Sequence, residues 1–446
     1  MKKYDLIIIG GGVGGLVGAS GAAKMGARVA LIEKELLGGD CLNFGCVPTK
    51  RLVKCAKVAH TRGKANEYGI NPGNNPHVDF PKVMQSVRDV QKSIGRHDDP
   101  RRFQEMGVTV INGDGNFTSP NTFKVNGEEL TARKFLIATG SSPTELSSQN
   151  NVKTLTNITA LQLTKLPASI TIHGGGAIGV EFAQIFARLG SKVSIVEKKG
   201  RLLPREDEAI SAALKKILIE EGITIHTCSE VTNITESNGL KITTATCTEG
   251  DTVIESEEVL MAIGRRPNVA GLNLEAAGVV YDNRKGIQTE KTMRTTAKSI
   301  YAVGDVSGPY AFTHVAEYQA GIALSNALLP LINRKADYRV VPWVTFTDPE
   351  VARVGLTEAE AINKYGNSNI SVYVVNFSDT DRAEIEGEAK GFIKLITDKK
   401  QRVLGAHIIG PSAGELIGEF VLAMKTRLPI TKISQTIHIY PTLSMA

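Results

Sequence analysis

The 446-residue sequence predicts an α/β fold built on a repeated strand–loop–helix–strand unit. Two observations carry this. The segment "DLIIIGGGVGGLVGASGAAKMGARVALIEK" (5–34) and the segment "SITIHGGGAIGVEFAQIFARLGSKVSIVEK" (169–198) match feature by feature. Each runs from a β-branched apolar stretch through G-x-G-x-x-G into a helical pattern, a glycine, and a second apolar stretch ending in Glu. The length, at roughly 150 residues per domain, corresponds to about three domains.

In the first copy the loop glycines are Gly10, Gly12 and Gly15; in the second they are Gly174, Gly176 and Gly179. The first glycine allows a tight turn, the second lets backbone approach a pyrophosphate, and the third lets helix pack on strand. The helix N-terminus then offers unpaired N–H groups and a positive dipole end to the phosphates. The helices end near Gly26 and Gly190, and the acids, Glu33 and Glu197, sit at the same offset in each copy. There a carboxylate accepts hydrogen bonds from ribose hydroxyls. Two complete copies in this context read as two Rossmann-like dinucleotide-binding domains. Glu197 would repel a 2′-phosphate, so NADH is expected over NADPH, with Lys198, Lys199 and Arg201 close by to soften the preference.

Between the copies lies "CLNFGC", with Cys41 and Cys46. Such a pair binds metal, staples a fold or shuttles electrons. A staple suits small secreted scaffolds, not a long chain with five cysteines. Structural zinc needs four ligands in paired spacings, and no second pair exists; no metal site is expected. The net charge of +6 is dispersed and aromatic residues make up only 5%, which argues against nucleic-acid binding. The apolar N-terminus mimics a signal peptide, but Asp5 interrupts it and it forms the first strand and glycine loop. No other stretch reaches membrane-span length, so a cytoplasmic protein without a membrane partner is the expectation.

A cysteine pair just after the first dinucleotide unit, with a second unit later, resembles the class I pyridine nucleotide–disulfide oxidoreductases. "GGDCLNFGCVPTK" (38–50) resembles the family's redox-active segment, although Asp40 stands where Thr is usual. "LIATGSSP" (136–143), with Thr139 and Gly140, resembles the second flavin motif. "GRRPN" (264–268), opening on Gly264, resembles the segment closing the NAD domain. "YAVGDVSG" (301–308) resembles the motif whose Asp, here Asp305, binds the flavin ribityl chain. "FTHVAEYQAG" (312–321) resembles a flavin-contacting helix start and includes His314. "VPWVTFTDPEVARVGLTEAEA" (341–361) resembles the start of the interface domain. The resemblance implies a homodimer with FAD on the first unit and NAD(H) on the second. It implies an FAD domain over 1–145 and 272–338, an NAD domain over 146–271, and a C-terminal α+β dimerisation domain over 339–446.

It also implies a relay in which NADH reduces FAD and reduced FAD opens a Cys41–Cys46 disulfide. Cys46 matches the flavin-facing cysteine and Cys41 the one that meets the acceptor. Lys50 and Glu181 match a lysine–glutamate pair beside the flavin. Five residues of ideal helix rise about 7.5 Å, too far for a disulfide, so closing the pair requires a backbone distortion at Gly45, ahead of Pro48. The terminal "TIHIYPTLSMA" (436–446) departs from the family. Tyr440 stands where dithiol-handling members carry the acid/base His, and Met445 where they carry its Glu partner; His438 matches a preceding histidine without that role. A tyrosine is a poor base at neutral pH. A metal ion or another small electron acceptor, as in mercuric reductases, is therefore expected over a dithiol of the dihydrolipoamide dehydrogenase kind. With the first dinucleotide unit opening at Asp5 and the last cysteine at Cys247, neither the N-terminal metal-capturing module nor the C-terminal cysteine pair of mercuric reductases is expected. A low-turnover redox sensor is the reading from another class. The segment "FSDTDRAEIEGE" (377–388) reads as solvated surface with no role.

Overall fold

The computed structural model describes residues 2–71, 73, 77–144, 152–247, 250–329 and 331–446. The chain falls into two compact units: Met1–Arg51, Gln85–Thr144 and Gly264–Asp337 form one, and Leu52–Met84, Glu145–Ile263 and Tyr338–Ala446 the other. No helix among the described residues is long and apolar enough to cross a membrane.

In the first unit, strand Lys2–Ile9 lies inside a parallel sheet, between Val29–Glu33 and Glu128–Ile137, with Thr109–Asn112 beyond Val29–Glu33. Ile9 stands opposite both Ile32 and Ile137, so the strands end together and the Gly10 loop leaves from their carboxyl edge. Leu6, Ile7 and Ile8 are all at most 1% exposed, as expected of a strand covered on both faces. Strand Glu128–Ile137 is long enough for two neighbours on its other side. Its first half pairs antiparallel with Thr122–Val125, and its second half pairs parallel with Ile300–Ala302. Phe117 meets Phe123 and Phe135 edge-on at centroid distances of 5.1 and 5.2 Å, anchoring the core on that side. Burying each ring contributes about 1.5–3 kcal/mol before entropy is counted.

The chain leaves this unit after Ser141–Pro143 and returns at Arg265–Pro267. The two stretches pair antiparallel with Ser142 opposite Arg266. Asn268 then ties the ends. Its side-chain amide donates to the Thr139 carbonyl and its carbonyl accepts from the Thr139 hydroxyl, both at 2.8 Å.

The second unit repeats the first unit's beginning. Its parallel sheet is ordered Thr224–His226, Lys192–Val196, Ser169–His173, Glu258–Met261, with a three-stranded antiparallel meander (Glu230–Ser237, Leu240–Cys247, Gly250–Ser256) ahead of the last strand. The C-terminal part of the unit is an antiparallel sheet ordered Pro342–Thr345, Glu350–Gly355, Val403–Gly410, Phe392–Asp398, Ile370–Asn376. Helix Ala413–Thr426 packs its Ile417 and Phe420 face onto that sheet. This is the α/β architecture with two Rossmann-like domains and an α+β C-terminal portion that the sequence predicts.

Candidate active site

The two glycine loops are close replicas. Gly10 and Gly174 adopt φ of +105° and +111°, where a side chain is strained. A Cβ on either would stand 2.4 Å from a carbonyl oxygen of the neighbouring strand end, Ala138 and Ala262 respectively. A Cβ on Gly15 or Gly179 would stand 1.9 Å from the carbonyl oxygen of the loop's first glycine, so only hydrogen lets helix meet strand. Gly12 and Gly176 cap helices Val13–Lys24 and Ala177–Leu189. A Cβ there would meet nothing closer than 3.9 Å at Gly12 and nothing within 4 Å at Gly176. That leaves bare backbone for a phosphate to approach. Glu33 accepts the Gly11 N–H at 2.6 Å and Glu197 accepts the Gly175 N–H at 2.6 Å, which holds each carboxylate beside its loop. These features fit dinucleotides at both loops.

The first loop leads directly to the cysteines. Gly39 packs its backbone onto Gly12, where a Cβ would come within 2.7 Å of the Gly12 Cα. Helix Gly39–Asn43 carries Cys41 and stops at Phe44, whose φ of −138° breaks the helical path; a new helix, Cys46–Gly63, then starts on the second cysteine. This is the distortion required between the pair, and Gly45 permits it through close approach. A Cβ there would lie 2.8 Å from the Asp40 carboxylate. Both cysteines are thiols; Cys41 is half-buried and Cys46 is exposed. The hydrogen-bonded Cys46 sulfur, and then burial, push the Cys41 thiol well above its ordinary pKa. Cys46 Sγ also lies 3.7 Å from the hydroxyl of Thr313, the first residue of helix Thr313–Leu328. His314, next to it, stacks on Phe312 with ring centroids 5.4 Å apart.

A polar chain connects the cysteine segment to Asp305. The Arg265 guanidinium pairs with Asp40 at 3.0 Å and donates to the Ser141 hydroxyl at 2.8 Å. The Ser141 hydroxyl in turn donates to Asp305 at 2.6 Å. Burial raises the Asp305 carboxyl, against the lowering pull of Ser141 and Arg265. Its turn is fixed by Gln319, 1% exposed, whose side-chain oxygen accepts the Gly304 N–H at 2.7 Å. Sequence reasoning named Asp305 and noted Asp40, but not Ser141, Arg265, Thr313 or Gln319. Each lies inside or beside a recognised motif, yet nothing in the motifs shows that they touch.

Thr139 and Gly140, the latter at φ +68°, sit where the ribbon joins the first sheet. Gly264, at φ +123°, accepts the Thr144 N–H at 2.9 Å on the returning strand. Lys50 lies half-buried on helix Cys46–Gly63 in the first unit. Glu181 belongs to the second unit, where it is 4% exposed and accepts the Phe346 N–H at 2.8 Å, an environment unlike that of a surface ion pair.

Tyr440 is 67% exposed, and its hydroxyl donates to Asp381 at 2.8 Å; this bond raises the phenol above its ordinary pKa. Asp381 thus has a partner that the reading of its segment as plain solvated surface did not assign. His438 sets Nε2 3.2 Å from Glu419 and Nδ1 2.9 Å from the Thr436 carbonyl. Among the described residues, no group of three or more His, Cys, Asp or Glu is gathered as a metal site.

Residues 4–320 match the family described as pyridine nucleotide-disulphide oxidoreductase, and residues 341–446 match its dimerisation domain, which indicates a homodimer. The mercuric reductase of Bacillus cereus is 35% identical over 444 residues, spanning 99% of this chain and 70% of that one. The dihydrolipoyl dehydrogenase of Thermus scotoductus is 37% identical over 451 residues, spanning 100% of this chain and 96% of that one. The Cu(II) complex of the HOCl-induced flavoprotein disulfide reductase RclA from Escherichia coli superposes with a TM-score of 0.89 at 30% identity, covering 100% of this chain and 98% of that one. Glycine loops, cysteine segment and whole-length similarity agree: the chain belongs to the pyridine nucleotide–disulphide oxidoreductases, FAD-dependent enzymes that use NAD(P)H.

Proposed function

We propose that the protein uses NADH to reduce a thiophilic metal ion, with Cys41 and Cys46 as the electron-carrying pair. The choice of acceptor rests on Tyr440. Reduction of a disulfide substrate needs a group to move a proton at the substrate sulfur. At the family's position for that group stands an exposed phenol, raised above its ordinary pKa by Asp381. Metal-ion reduction has no such requirement, and thiolates are good ligands for soft metals. The similarity to mercuric reductases and to a flavoprotein with a Cu(II) complex supports this reading.

In this proposal Gly10, Gly12, Gly15, Glu33, Lys50, Thr139, Gly140, Asp305 and His314 hold FAD. Gly174, Gly176, Gly179, Glu197 and Gly264 hold NADH, and Lys50 and Glu181 fill the positions of the family's lysine and glutamate. The domains divide as 1–145 with 272–338 for FAD, 146–271 for NADH and 339–446 for the dimer. Bound FAD supplies two-electron exchange between nicotinamide and the cysteine pair. Cys46 would face it as the charge-carrying thiolate, and Cys41, protonated while Cys46 carries that charge, would release its proton to solvent as it binds the metal. Preference for NADH follows from the buried Glu197 carboxylate. Of the nearby cations, Lys198 is paired with Glu230 at 2.6 Å and Arg201 lies 3.9 Å from Glu208.

The second reading, a dithiol oxidoreductase, is favoured by the near full-length similarity to dihydrolipoyl dehydrogenases. The test is NADH oxidation by the purified yellow protein with Hg(II) in excess thiol, with Cu(II), and with oxidised lipoamide, side by side. Fast turnover with a metal and none with lipoamide is expected. Fast turnover with lipoamide alone removes the metal reading.

A further inference from the structure

The backbone after the second acid, Arg201 to Asp207, is a strap held at both ends. At one end it grips the second glycine loop. The Leu203 N–H donates to the Gly175 carbonyl at 2.8 Å. The Leu202 side chain fills the space over Gly175, where a Cβ would meet it at 2.6 Å. At the other end the strap is clasped to the C-terminal sheet of the same unit. Trp343 Nε1 donates to Glu206 Oε1 at 2.6 Å. The guanidinium groups of Arg353 and Arg205 lie 4.8 and 5.4 Å from the Trp343 ring centroid. Arg353 also donates to the Arg205 carbonyl. Asp207 accepts Lys394 Nζ at 2.7 Å and the Glu358 N–H at 3.1 Å.

Two details show that this strap is under constraint. Leu203 adopts φ +43°, a left-handed conformation that a leucine takes only when its surroundings impose it. Glu206 is 4% exposed and its second carboxylate oxygen is buried with no hydrogen-bond partner among the described residues, an arrangement a purely structural contact has no reason to keep.

We infer that Trp343 and Glu206 are positioning residues for the nicotinamide nucleotide: their clasp sets the course of the strap, and the strap sets the second glycine loop. The inference rests on the assignment of that loop to NADH. Coupling of this kind is reciprocal, so nucleotide bound at the loop must also alter the clasp by the same free energy.

Trp343 is the only tryptophan in the chain and therefore reports on its own clasp. The probe is ADP-ribose, which carries the pyrophosphate and ribose but lacks the nicotinamide ring that quenches tryptophan by energy transfer. Titrated into the FAD-loaded protein, ADP-ribose is expected to change Trp343 emission saturably, with the dissociation constant found by calorimetry. Glu206→Ala is expected to bind it about fivefold more weakly, the worth of one buried hydrogen bond, with FAD content unchanged. KM for NADH should rise in proportion while kcat holds. Glu206→Gln keeps a carbonyl acceptor for the indole and should stay within about twofold of wild type. Trp343→Phe, which keeps a ring between the two arginines, provides the same binding test should Glu206→Ala fail to fold. ADP-ribose binding that leaves the emission unchanged, or an unweakened affinity in these variants, overturns the inference and leaves the NADH assignment standing. No binding of ADP-ribose to the wild type overturns both.

Discussion

The first glycine loop and the second are equivalent up to their acids and diverge in the chain beyond them. In both, a leucine covers the middle glycine, and the next residue donates its N–H to that glycine's carbonyl. Leu37 and Gly38 serve in the first copy, with a 2.9 Å bond to Gly11; Leu202 and Leu203 serve in the second, with a 2.8 Å bond to Gly175. Both donors have positive φ, +91° at Gly38 and +43° at Leu203. Glycine adopts that conformation freely, and the chain beyond Gly38 turns at once into the helix carrying Cys41. Leucine does not, and the chain beyond Leu203 is fastened to the C-terminal sheet. One scaffold thus leads into a cysteine-bearing helix in one place and into a fastening to the C-terminal sheet in the other. The copies differ in the segment beyond the loop, not in the loop itself.

Breaking each loop at its tightest point should separate the two roles most sharply. Gly15→Ala and Gly179→Ala each place a methyl 1.9 Å from a carbonyl oxygen, so helix and strand must part. Gly15→Ala is expected to yield protein without the flavin absorbance near 450 nm and without any turnover. Gly179→Ala should stay yellow while NADH oxidation falls about 10²-fold, the usual effect of displacing a binding group by about 1 Å. Equal loss of flavin in both variants would end the division of labour between the loops.

Acid should also distinguish the copies. The residue before the first loop is Ile9; before the second it is His173, whose Nδ1 is buried with no hydrogen-bond partner among the described residues. Burial lowers His173 to about 4, and it lowers His407, in the C-terminal sheet of the same unit, to about 4. A histidine whose folded pKa lies below its unfolded value favours folding above pH 6.5 and loses that contribution as pH falls towards 4. At His173 the loss reaches about 3 kcal/mol. Melting followed by Trp343 fluorescence should therefore drop steeply between pH 6.5 and 4. His173→Ile, which copies the first loop, should make the slope shallower. An unchanged slope would mean that the carboxylates govern this range.

How much of this is visible in the sequence depends on distance along the chain. The loops, their acids and the helices between them are local patterns, and the periodicity of residues 5–34 and 169–198 exposes them directly. The break between Cys41 and Cys46 follows from helix geometry once the family resemblance implies that the pair closes a disulfide. Tyr440 stands out as a departure from the family, but its bond to Asp381 does not, because the two residues belong to segments with no shared motif. The Asp40–Arg265–Ser141–Asp305 chain joins four segments that are remote in sequence, and the Trp343–Glu206 clasp joins two. Such contacts arise from tertiary packing, and residue spacing carries no record of them.

The acids invite a smaller test. Glu33 and Glu197 hold their loops identically, yet only the second should govern the choice between NADH and NADPH. Glu197→Gln removes the charge that opposes a 2′-phosphate beside Lys198, Lys199 and Arg201. The ratio of kcat/KM for NADH to that for NADPH should fall about tenfold. Glu33→Gln should weaken FAD retention and leave that ratio unchanged. A shift of the ratio by Glu33→Gln would show that the copies are not specialised as proposed.

The smallest effect expected lies in the segment that follows the first glycine loop, Leu37 to Cys46. Asp40 precedes Cys41, and its negative charge adds to the forces that keep the Cys41 thiol protonated, although it is the weakest of those identified. Arg265, 3.0 Å away, offsets much of that charge, and Asp40 is 38% exposed, so solvent screens more of it. Asp40→Thr removes the carboxylate but also frees Arg265, leaving a cation close to the cysteine pair. Both changes favour the thiolate. Alkylation of the reduced protein by iodoacetamide at pH 7 should therefore speed up by about two- to threefold at Cys41, and the gain should shrink in high salt. A double variant that also carries Arg265→Gln separates the two causes: retention of the gain assigns it to the lost carboxylate, and its disappearance assigns it to the released guanidinium. If neither variant changes the rate, the Cys46 sulfur and burial alone hold the proton on Cys41, and the segment after the first loop acts through geometry rather than charge.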